Sequence, residues 1–258
     1  MSRIVFLGTA GASSYADRDN TFLGVEHAGA SIMIDCGGAP VHRAEAAGFA
    51  WESCRDVVIT HTHPDHFYGL ASFIHNLRLK DRGEGVTVWC HQADESKLEA
   101  YLRVFGFDAK YSVPVHLAAV DPSAGGELFN RRGLRCSVMP TAHGVPAMGC
   151  ILCTDDGRRV VYSSDTRPCE TVINAATGAL LLIHEASFLQ RDYRHALETF
   201  HSTAREAGEV ARRAGVARLC LVHCYSPDSG GLEDFMLEAA AQFRGPVVVP
   251  THLSEMHF

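Results

Sequence analysis

The sequence predicts an α/β protein built as a four-layer αββα sandwich, with two β-sheets face to face and helices on both outer surfaces. Two halves of the chain carry short apolar runs of strand length, and each half also contains segments with helical spacing. Strands accompanied by helices in this way are typical of layered α/β folds. No linker, low-complexity segment or clean repeat divides the sequence, so residues 1–258 are expected to form one domain.

The first half is predicted from four apolar runs and three helical patterns. Residues 4–7 form a strand that enters a glycine-rich turn, and residues 30–35 form another that ends in a Gly-Gly turn. β-Branched residues crowd positions 56–60, which predicts a short buried strand. A turn at 81–85 precedes a strand at 86–90. The helical patterns cover 39–53, 69–79 and 92–105.

The second half changes rhythm and is richer in strands. Residues 106–126 show no single pattern, and Asp156-Gly157 predicts the turn of a hairpin. A strong helix is expected over 202–215, because Ser202-Thr203 followed by Glu206 resembles a capping box. The predicted strands cover 134–139, 149–154, 160–163, 180–183 and 219–222.

Composition limits the class of protein. The hydrophobic content of 47% and the charged content of 21% are those of a soluble globular protein, and the net charge of −7 argues against a broad electrostatic grip on nucleic acid. No run reaches the roughly 18 to 20 apolar residues that a membrane span needs, and the first residues lack a signal-peptide pattern. Nine cysteines, mostly within apolar runs, fit a reducing compartment, so a cytoplasmic location is expected.

The most informative stretch follows the predicted strand at 56–60. His61, His63, Asp65 and His66 lie within six residues, and neutral imidazole and carboxylate are ligands that first-row divalent metals prefer. His61 and His63 alternate along an extended segment and can hold one ion, whereas Asp65 and His66 begin a turn or helix and can face a second. A loop without a metal gains little from three imidazoles, so this stretch predicts a metal centre.

Further polar residues follow other predicted strands. His143, Asp165, the pair His184-Glu185 and His223 each come directly after an apolar run. In layered α/β proteins, ligand sites gather where strand ends and their loops converge. We therefore expect these residues to lie near the histidine motif.

These motifs resemble those of the metallo-β-lactamase-fold hydrolases, and the sequence is similar over nearly its whole length to the ribonuclease Z subgroup. The His-x-His-x-Asp-His motif is specific for the superfamily. The narrower motifs are Ser-Asp-Thr-Arg-Pro at 164–168, His-Glu-Ala-Ser-Phe at 184–188, His-Ser-Thr-Ala at 201–204 and Leu-Val-His at 221–223. The resemblance implies the metallo-β-lactamase fold and a metal-dependent hydrolase.

The resemblance also implies seven ligands to two divalent ions per chain. It assigns one ion to His61, His63 and His143, a second to Asp65, His66 and His223, and the bridge between them to Asp165. Zinc is the expected metal for an imidazole-rich site, and manganese or iron also fits these ligand types. His184 and Glu185 are expected to support the site from behind, without binding an ion.

The expected reaction is hydrolysis by a hydroxide that bridges the two ions. Asp65 is expected to orient or deprotonate the attacking water in addition to binding metal. His201 matches the residue that protonates the leaving group in the ribonuclease Z branch. The alternative for His201 is an ordinary histidine at the start of a helix.

The segment between His143 and Asp165 narrows the expected substrate. Ribonuclease Z enzymes usually carry a protruding tRNA-holding arm there, whereas this sequence has only a tight hairpin. This difference and the acidic charge argue against a pre-tRNA and favour a small phosphodiester, such as a cyclic nucleotide, a cyclic phosphate or a short oligonucleotide. A homodimer is implied by the resemblance alone. The alternatives are hydrolysis of a lactone, carboxylic ester or sulfate ester, pre-tRNA processing as an endonuclease, and non-catalytic metal sensing.

Overall fold

Two seven-stranded mixed sheets form the centre of the protein. A computed structural model describes residues 2–80, 84–107, 114–225 and 231–258. The first sheet has the order β14-β1-β2-β3-β4-β5-β6 and the second the order β13-β12-β11-β10-β9-β8-β7. Read in these orders, the first sheet has three antiparallel pairings and then three parallel ones. The second sheet has three parallel pairings and then three antiparallel ones.

The strands of the first sheet are β1 (Ser2–Gly8), β2 (Phe22–His27), β3 (Ala30–Ile34), β4 (Cys54–Ile59), β5 (Val86–His91), β6 (Val115–Val120) and β14 (Glu255–His257). Those of the second sheet are β7 (Glu127–Arg131), β8 (Leu134–Pro140), β9 (Met148–Thr154), β10 (Arg159–Tyr162), β11 (Leu181–Glu185), β12 (Leu219–Val222) and β13 (Val247–Val248). The helices are α1 (Pro40–Ala46), α2 (Pro64–Phe67), α3 (Leu70–Leu79), α4 (Glu95–Val104), α5 (Glu170–Ala176), α6 (Tyr193–Glu198), α7 (Ala204–Ala214) and α8 (Leu232–Ala240).

Three buried apolar clusters correspond to the three interfaces of a four-layer sandwich. One lies between the sheets, one joins the first sheet to α1, α3 and α4, and one joins the second sheet to α5, α7 and α8. Strand β4 shows how an unbroken apolar run serves two of them. Val58 packs in the cluster between the sheets, whereas Val57 and Ile59 pack against the helices, because successive strand residues point to opposite faces. The predicted αββα sandwich is confirmed.

Most predicted elements are present, and several were missed. The helix expected over 39–53 ends at Ala46, because Gly48 adopts φ +61°, and a 3-10 turn, Trp51–Ser53, follows it. Part of the turn expected at 81–85 lies outside the described residues. The patterns gave no expectation for β2, β6, β7, β13, β14, α5, α6 and α8.

A polar contact joins the two sheets at the end away from the histidine motif. Asp56, at the start of β4, is fully buried and accepts two hydrogen bonds from Arg131 of β7, at 2.6 and 3.0 Å. The Trp89 indole donates a third at 2.8 Å. A charged side chain in this position needs such partners, because an unpaired buried carboxylate is strongly destabilising.

Among the helices of the described ranges, none combines the length and the apolar character that a membrane crossing requires.

Candidate metal centre

The histidine motif lies where β4 gives way to a short helix. The chain stays extended after β4 as far as His63, which is the N-cap of α2 with φ −72° and ψ 144°, and Pro64 fills the first helical position. Asp65 and His66 follow on that helical turn and are buried, as is His61. This change from extended to helical backbone lets one six-residue stretch present four side chains toward one space.

The second sheet brings the other predicted ligands to the same place. His143 follows β8, Asp165 follows β10 and His223 follows β12. His223 has φ +62°, and its backbone N–H donates to the carbonyl of Thr9 in the glycine-rich turn after β1. That turn therefore supports the site through backbone contacts.

One oxygen of Asp165 lies at the centre of the cluster. Asp165 Oδ2 is 3.3 Å from His66 Nε2, 3.4 Å from His223 Nε2, 3.7 Å from His61 Nε2 and 4.0 Å from His143 Nε2. These four imidazoles come from both halves of the predicted ligand set. The central position is the one that a carboxylate shared by two cations would need.

The remaining distances divide the donors into two groups. His63 Nδ1 lies 3.0 Å from His61 Nε2 and 3.1 Å from His143 Nε2. Asp65 Oδ2 lies 3.4 Å from His223 Nε2 and 3.5 Å from His66 Nε2. Within each group, His61, His63, His143 and Asp165 in one and Asp65, His66 and His223 in the other, the donor atoms lie within 4.8 Å of one another.

The residues fit the divalent ions that the family implies. Among the described residues, His66 Nε2 and Asp165 Oδ1 are buried side-chain atoms without a hydrogen-bond partner. Such atoms are costly unless something satisfies them, and a cation between the two groups would do so. A donor set of imidazoles and carboxylates is also the one that divalent transition metals prefer.

Three of the imidazoles are fixed from behind by the ring nitrogen that points away from the cluster. The contacts of the Nδ1 atoms are His66 with Asp35 Oδ2 at 2.9 Å, His223 with Ser187 Oγ at 2.9 Å and His143 with the Phe200 carbonyl oxygen at 3.0 Å. A proton held on Nδ1 leaves the Nε2 lone pair for a metal, so these contacts select the tautomer that can bind one.

Asp35 is the most connected of these supports. It follows β3 with φ +61°, is fully buried, and its Oδ1 accepts from both the backbone N–H and the hydroxyl of Thr60, at 2.8 and 2.9 Å. Tyr162 lies 3.4 Å from its other oxygen. The carboxylate therefore fixes both His66 and the end of the segment that carries His61.

Electrostatics keep three of the imidazoles and Asp165 in metal-binding form, whereas burial is outweighed at His66, where the carboxylates of Asp165 and Asp35 raise the pKa well above its usual value. Burial lowers the pKa of His61, and the same cause lowers the pKa of His63 and His143, so these imidazoles are neutral near neutral pH. Burial opposes ionisation of Asp165, but the surrounding imidazoles, His223 first, hold its pKa well below the usual range. Metal binding requires neutral imidazoles and an ionised carboxylate, so His66 must release a proton when an ion binds.

His201 lies beside the cluster, just before α7. Helix α7 begins with the predicted capping box, in which Thr203 is the N-cap and Glu206 the reciprocal partner. His201 Nδ1 is 2.8 Å from Glu185 Oε1. Burial alone would lower the pKa of His201, but the carboxylate of Glu185 raises it to about 9.

Glu185 and His184 occupy different faces of β11. Glu185 accepts from the Ser187 hydroxyl at 2.9 Å and contacts His201, which places it next to the cluster. His184 is buried on the other face, with its Nδ1 2.6 Å from the Glu185 carbonyl oxygen.

An open pocket of about 480 Å³ leads to the cluster. We call floor the lining residues that belong to the cluster or adjoin it, which are His63, Asp65, Asp165, His201 and His223. We call walls the other lining residues, which are Ala12, Pro64, Gly144, Val145, Glu198, Thr199 and Phe200. Within the described part of the chain, no lysine or arginine lines it.

Sequence reasoning missed Asp35, Ser187 and Phe200. Asp35 carried a usable signal, because a carboxylate directly after a buried strand matches the placement of Asp165. Ser187 lies within the motif at 184–188, but its contact with His223 gave no signal, and neither did the contact of Phe200 with His143, since the partners are distant in sequence.

The family described as "Beta-lactamase superfamily domain" matches residues 31–224. A ribonuclease Z of Halorubrum lacusprofundi is 27% identical over 297 residues, covering 96% of this chain and 94% of the relative. A ribonuclease Z of Methanosarcina mazei is 29% identical over 300 residues, covering 99% and 98%. The resemblance to ribonuclease Z inferred from the motifs is confirmed by these relatives.

Solved structures show the same fold. The metallo-beta-lactamase fold protein YhfI from Bacillus subtilis superposes with a TM-score of 0.84 at 21% identity, covering 99% of this chain and 98% of that one. The short form of human tRNase Z gives a TM-score of 0.79 at 19% identity, with the same coverage.

Proposed function

The chain belongs to the beta-lactamase superfamily and is a metal-dependent hydrolase, and from that premise we propose that it hydrolyses a small phosphodiester. The observation that carries the proposal is the convergence of four imidazoles on one oxygen of Asp165, with His201 beside the same pocket. We propose the seven predicted ligands as holders of two divalent ions, zinc by preference because imidazole predominates.

The ions and the chain divide the chemistry. When bound, the two divalent cations would lower the pKa of water and stabilise negative charge on the phosphoryl group. Asp65 lines the pocket floor with an oxygen 3.4 Å from His223 and 3.5 Å from His66, and its pKa is lowered by the hydrogen bond with His223 against the effect of burial. An ionised carboxylate in that position can orient the attacking water and accept its proton.

His201 is proposed to protonate the leaving oxygen. It lines the pocket, and its Nδ1 lies 2.8 Å from Glu185 Oε1. This contact holds the Nδ1 proton and directs Nε2 away from the carboxylate. The raised pKa of about 9 favours the protonated imidazole before the reaction. General acids placed in this way typically contribute about 10²–10⁴-fold to a rate.

The charge of the pocket favours a diester over a monoester. A phosphate monoester carries up to two negative charges and is commonly held by arginine or lysine. The described residues lining this pocket include no lysine or arginine, and Glu198 adds a carboxylate beyond those proposed to hold the metals. A diester, with one negative charge, suits that balance better.

The short connection between His143 and Asp165 supports a small substrate. Strands β9 and β10 are joined by a tight turn around Gly157, which has φ +87°. Nothing protrudes from the sandwich there that could hold a large RNA. A cyclic nucleotide, a cyclic phosphate or a short oligonucleotide remains the preferred substrate.

A second candidate is endonucleolytic processing of pre-tRNA, which the names of the relatives favour. The matched proteins are named ribonuclease Z, and one similar structure is a tRNase Z. The expectation that argued against tRNA is therefore not supported by the comparisons. The alignment with the Halorubrum lacusprofundi relative spans 297 positions against 258 residues here, so that relative contains residues that this chain lacks.

The test combines metal content with substrate class. Purified protein should carry about two metals per chain and hydrolyse bis-nitrophenyl phosphate faster than nitrophenyl phosphate, nitrophenyl sulfate or a simple lactone. Chelation and Asp165→Ala should each abolish turnover. Activity confined to the sulfate or the lactone would overturn the diester proposal. Specific cleavage of a pre-tRNA transcript at the end of its acceptor stem would establish the second candidate.

Two further proposals concern the setting of the enzyme. The nine cysteines are all free thiols, which supports a reducing, cytoplasmic location. A homodimer stays a prediction from the family resemblance, and sedimentation of the metal-loaded protein would test it.

A further inference from the structure

Phe200 occupies an unusual place at the mouth of the pocket. It precedes His201, lines the pocket wall, and leaves 47% of its surface exposed. A single exposed aromatic residue needs no explanation by itself. The backbone of Phe200, however, shows that its position is tightly specified.

The backbone of Phe200 is held in a conformation that its side chain disfavours. Phe200 has φ +60°, where a β-carbon costs roughly 1–2 kcal/mol. This conformation aims its carbonyl at His143 Nδ1, 3.0 Å away. Glycine would present the same carbonyl without that cost, so support of His143 does not by itself account for an aromatic ring here.

The ring of Phe200 lies beside Gly144 in the pocket that contains the proposed metal ligands. A β-carbon at Gly144 would lie 3.4 Å from Cδ2 of Phe200, so the glycine leaves the ring free of a neighbouring side chain at that point. Val145 and Pro64 also line the pocket wall. Glu198, also in the wall, disfavours a second anion and can accept a hydrogen bond from a sugar hydroxyl or a base amino group.

We propose that Phe200 is the stacking platform for the base of a nucleoside attached to the bound phosphate. This inference rests on the proposed phosphodiesterase function, and it narrows the substrate class to nucleotides. A flat π-face next to a phosphate site is how proteins hold bases without reading their sequence. Phe200 thus determines specificity, and its carbonyl positions His143.

The test measures binding of two product-like ligands to metal-loaded protein by calorimetry. Adenosine 5′-monophosphate carries a base at the carbon where ribose 5-phosphate has its anomeric hydroxyl, and the two share the sugar and the phosphate. We expect the first to bind about tenfold or more tightly to the unaltered protein, as base–aromatic stacking provides. In Phe200→Leu the two should bind alike, whereas Phe200→Tyr should keep the preference.

Controls separate this inference from the function on which it rests. Leu197→Ala removes a similarly exposed apolar side chain, 46% exposed, that does not line the pocket, and it should keep the preference. Metal content of each variant shows whether His143 is still held. Equal binding of both ligands to the unaltered protein would overturn the stacking role while leaving the phosphodiesterase intact. Failure of the metal-loaded protein to bind either ligand would overturn the stacking role, and only the additional absence of bis-nitrophenyl phosphate turnover would overturn the phosphodiesterase as well.

Discussion

Replacing Asp35 with asparagine tests whether the site depends on a residue that touches no substrate. The amide has one oxygen, but the carboxylate now accepts from Thr60 on one side and from His66 on the other. If the amide oxygen stays with Thr60, the NH₂ group of the asparagine faces Nδ1 of His66. Because both groups would then be donors, the imidazole must move its proton from Nδ1 to Nε2. That tautomer cannot bind a metal through Nε2.

The magnitude follows from the bond that is lost. A hydrogen bond to a charged group contributes about 1.5–3 kcal/mol, which corresponds to roughly 10- to 150-fold in affinity. Removing a residue that holds a metal ligand in place usually lowers metal affinity 10- to 100-fold, which agrees with this range. We therefore expect Asp35→Asn to lower the affinity for the ion assigned to Asp65, His66 and His223 by about 10- to 100-fold.

The assay is competition for zinc against a chromophoric chelator, which resolves the two binding steps. Tyr162→Phe is the matched control, because it removes only the longer 3.4 Å contact to Asp35 and should change either affinity by less than about threefold. Asparagine tolerates the left-handed backbone at this position, so the fold should persist and circular dichroism should be unchanged. Two affinities within twofold of the unaltered protein would refute the reasoning.

Three other predictions concern the donor, the cross-sheet link and the thiols. His201→Ala should slow diesters with alkoxide leaving groups about 10²-fold or more but nitrophenyl diesters far less, and equal slowing in a leaving-group series would remove the proton-donor role. Arg131→Met should lower the free energy of unfolding by about 2–3 kcal/mol in urea titrations. The loss should be smaller than for a buried carboxylate without any partner, because Trp89 still donates to Asp56. An unchanged midpoint of unfolding would contradict this prediction. Only two of the nine thiols are partly exposed, and burial raises the pKa of one buried thiol, Cys90, to about 12. A disulfide reagent at pH 8 should therefore modify about two thiols quickly and the others only after unfolding. Fast reaction of most thiols would show that the core opens.

The histidine motif could be recognised from the sequence because its donors are local, whereas the assignment of seven ligands to two ions rests on the family resemblance. His61, His63, Asp65 and His66 occupy one turn of chain, and His143, Asp165 and His223 each follow a recognisable apolar run. The structure brings all seven together, and their roles as ligands stay a prediction. The single-domain organisation of residues 1–258 likewise stays a prediction.

What sequence reasoning missed depends on contacts between distant segments. Strand β2 was overlooked because Gly24 interrupts its pattern, yet that glycine is required where the ring of Phe49 presses within 2.7 Å of the position of a β-carbon. Ser187 and Phe200 matter through imidazoles on other loops. Such pairings have no signature in either segment alone.

The division of the proposed ligands between the two sheets sets an order of events during synthesis. The first group needs His143 in addition to His61 and His63, and the second needs His223 in addition to Asp65 and His66. A nascent chain of which only the first half has left the ribosome presents three imidazoles and a carboxylate, and neither proposed ligand group is complete. The proposed ligand assignment therefore implies that tight metal capture follows translation of the second sheet and its packing on the first.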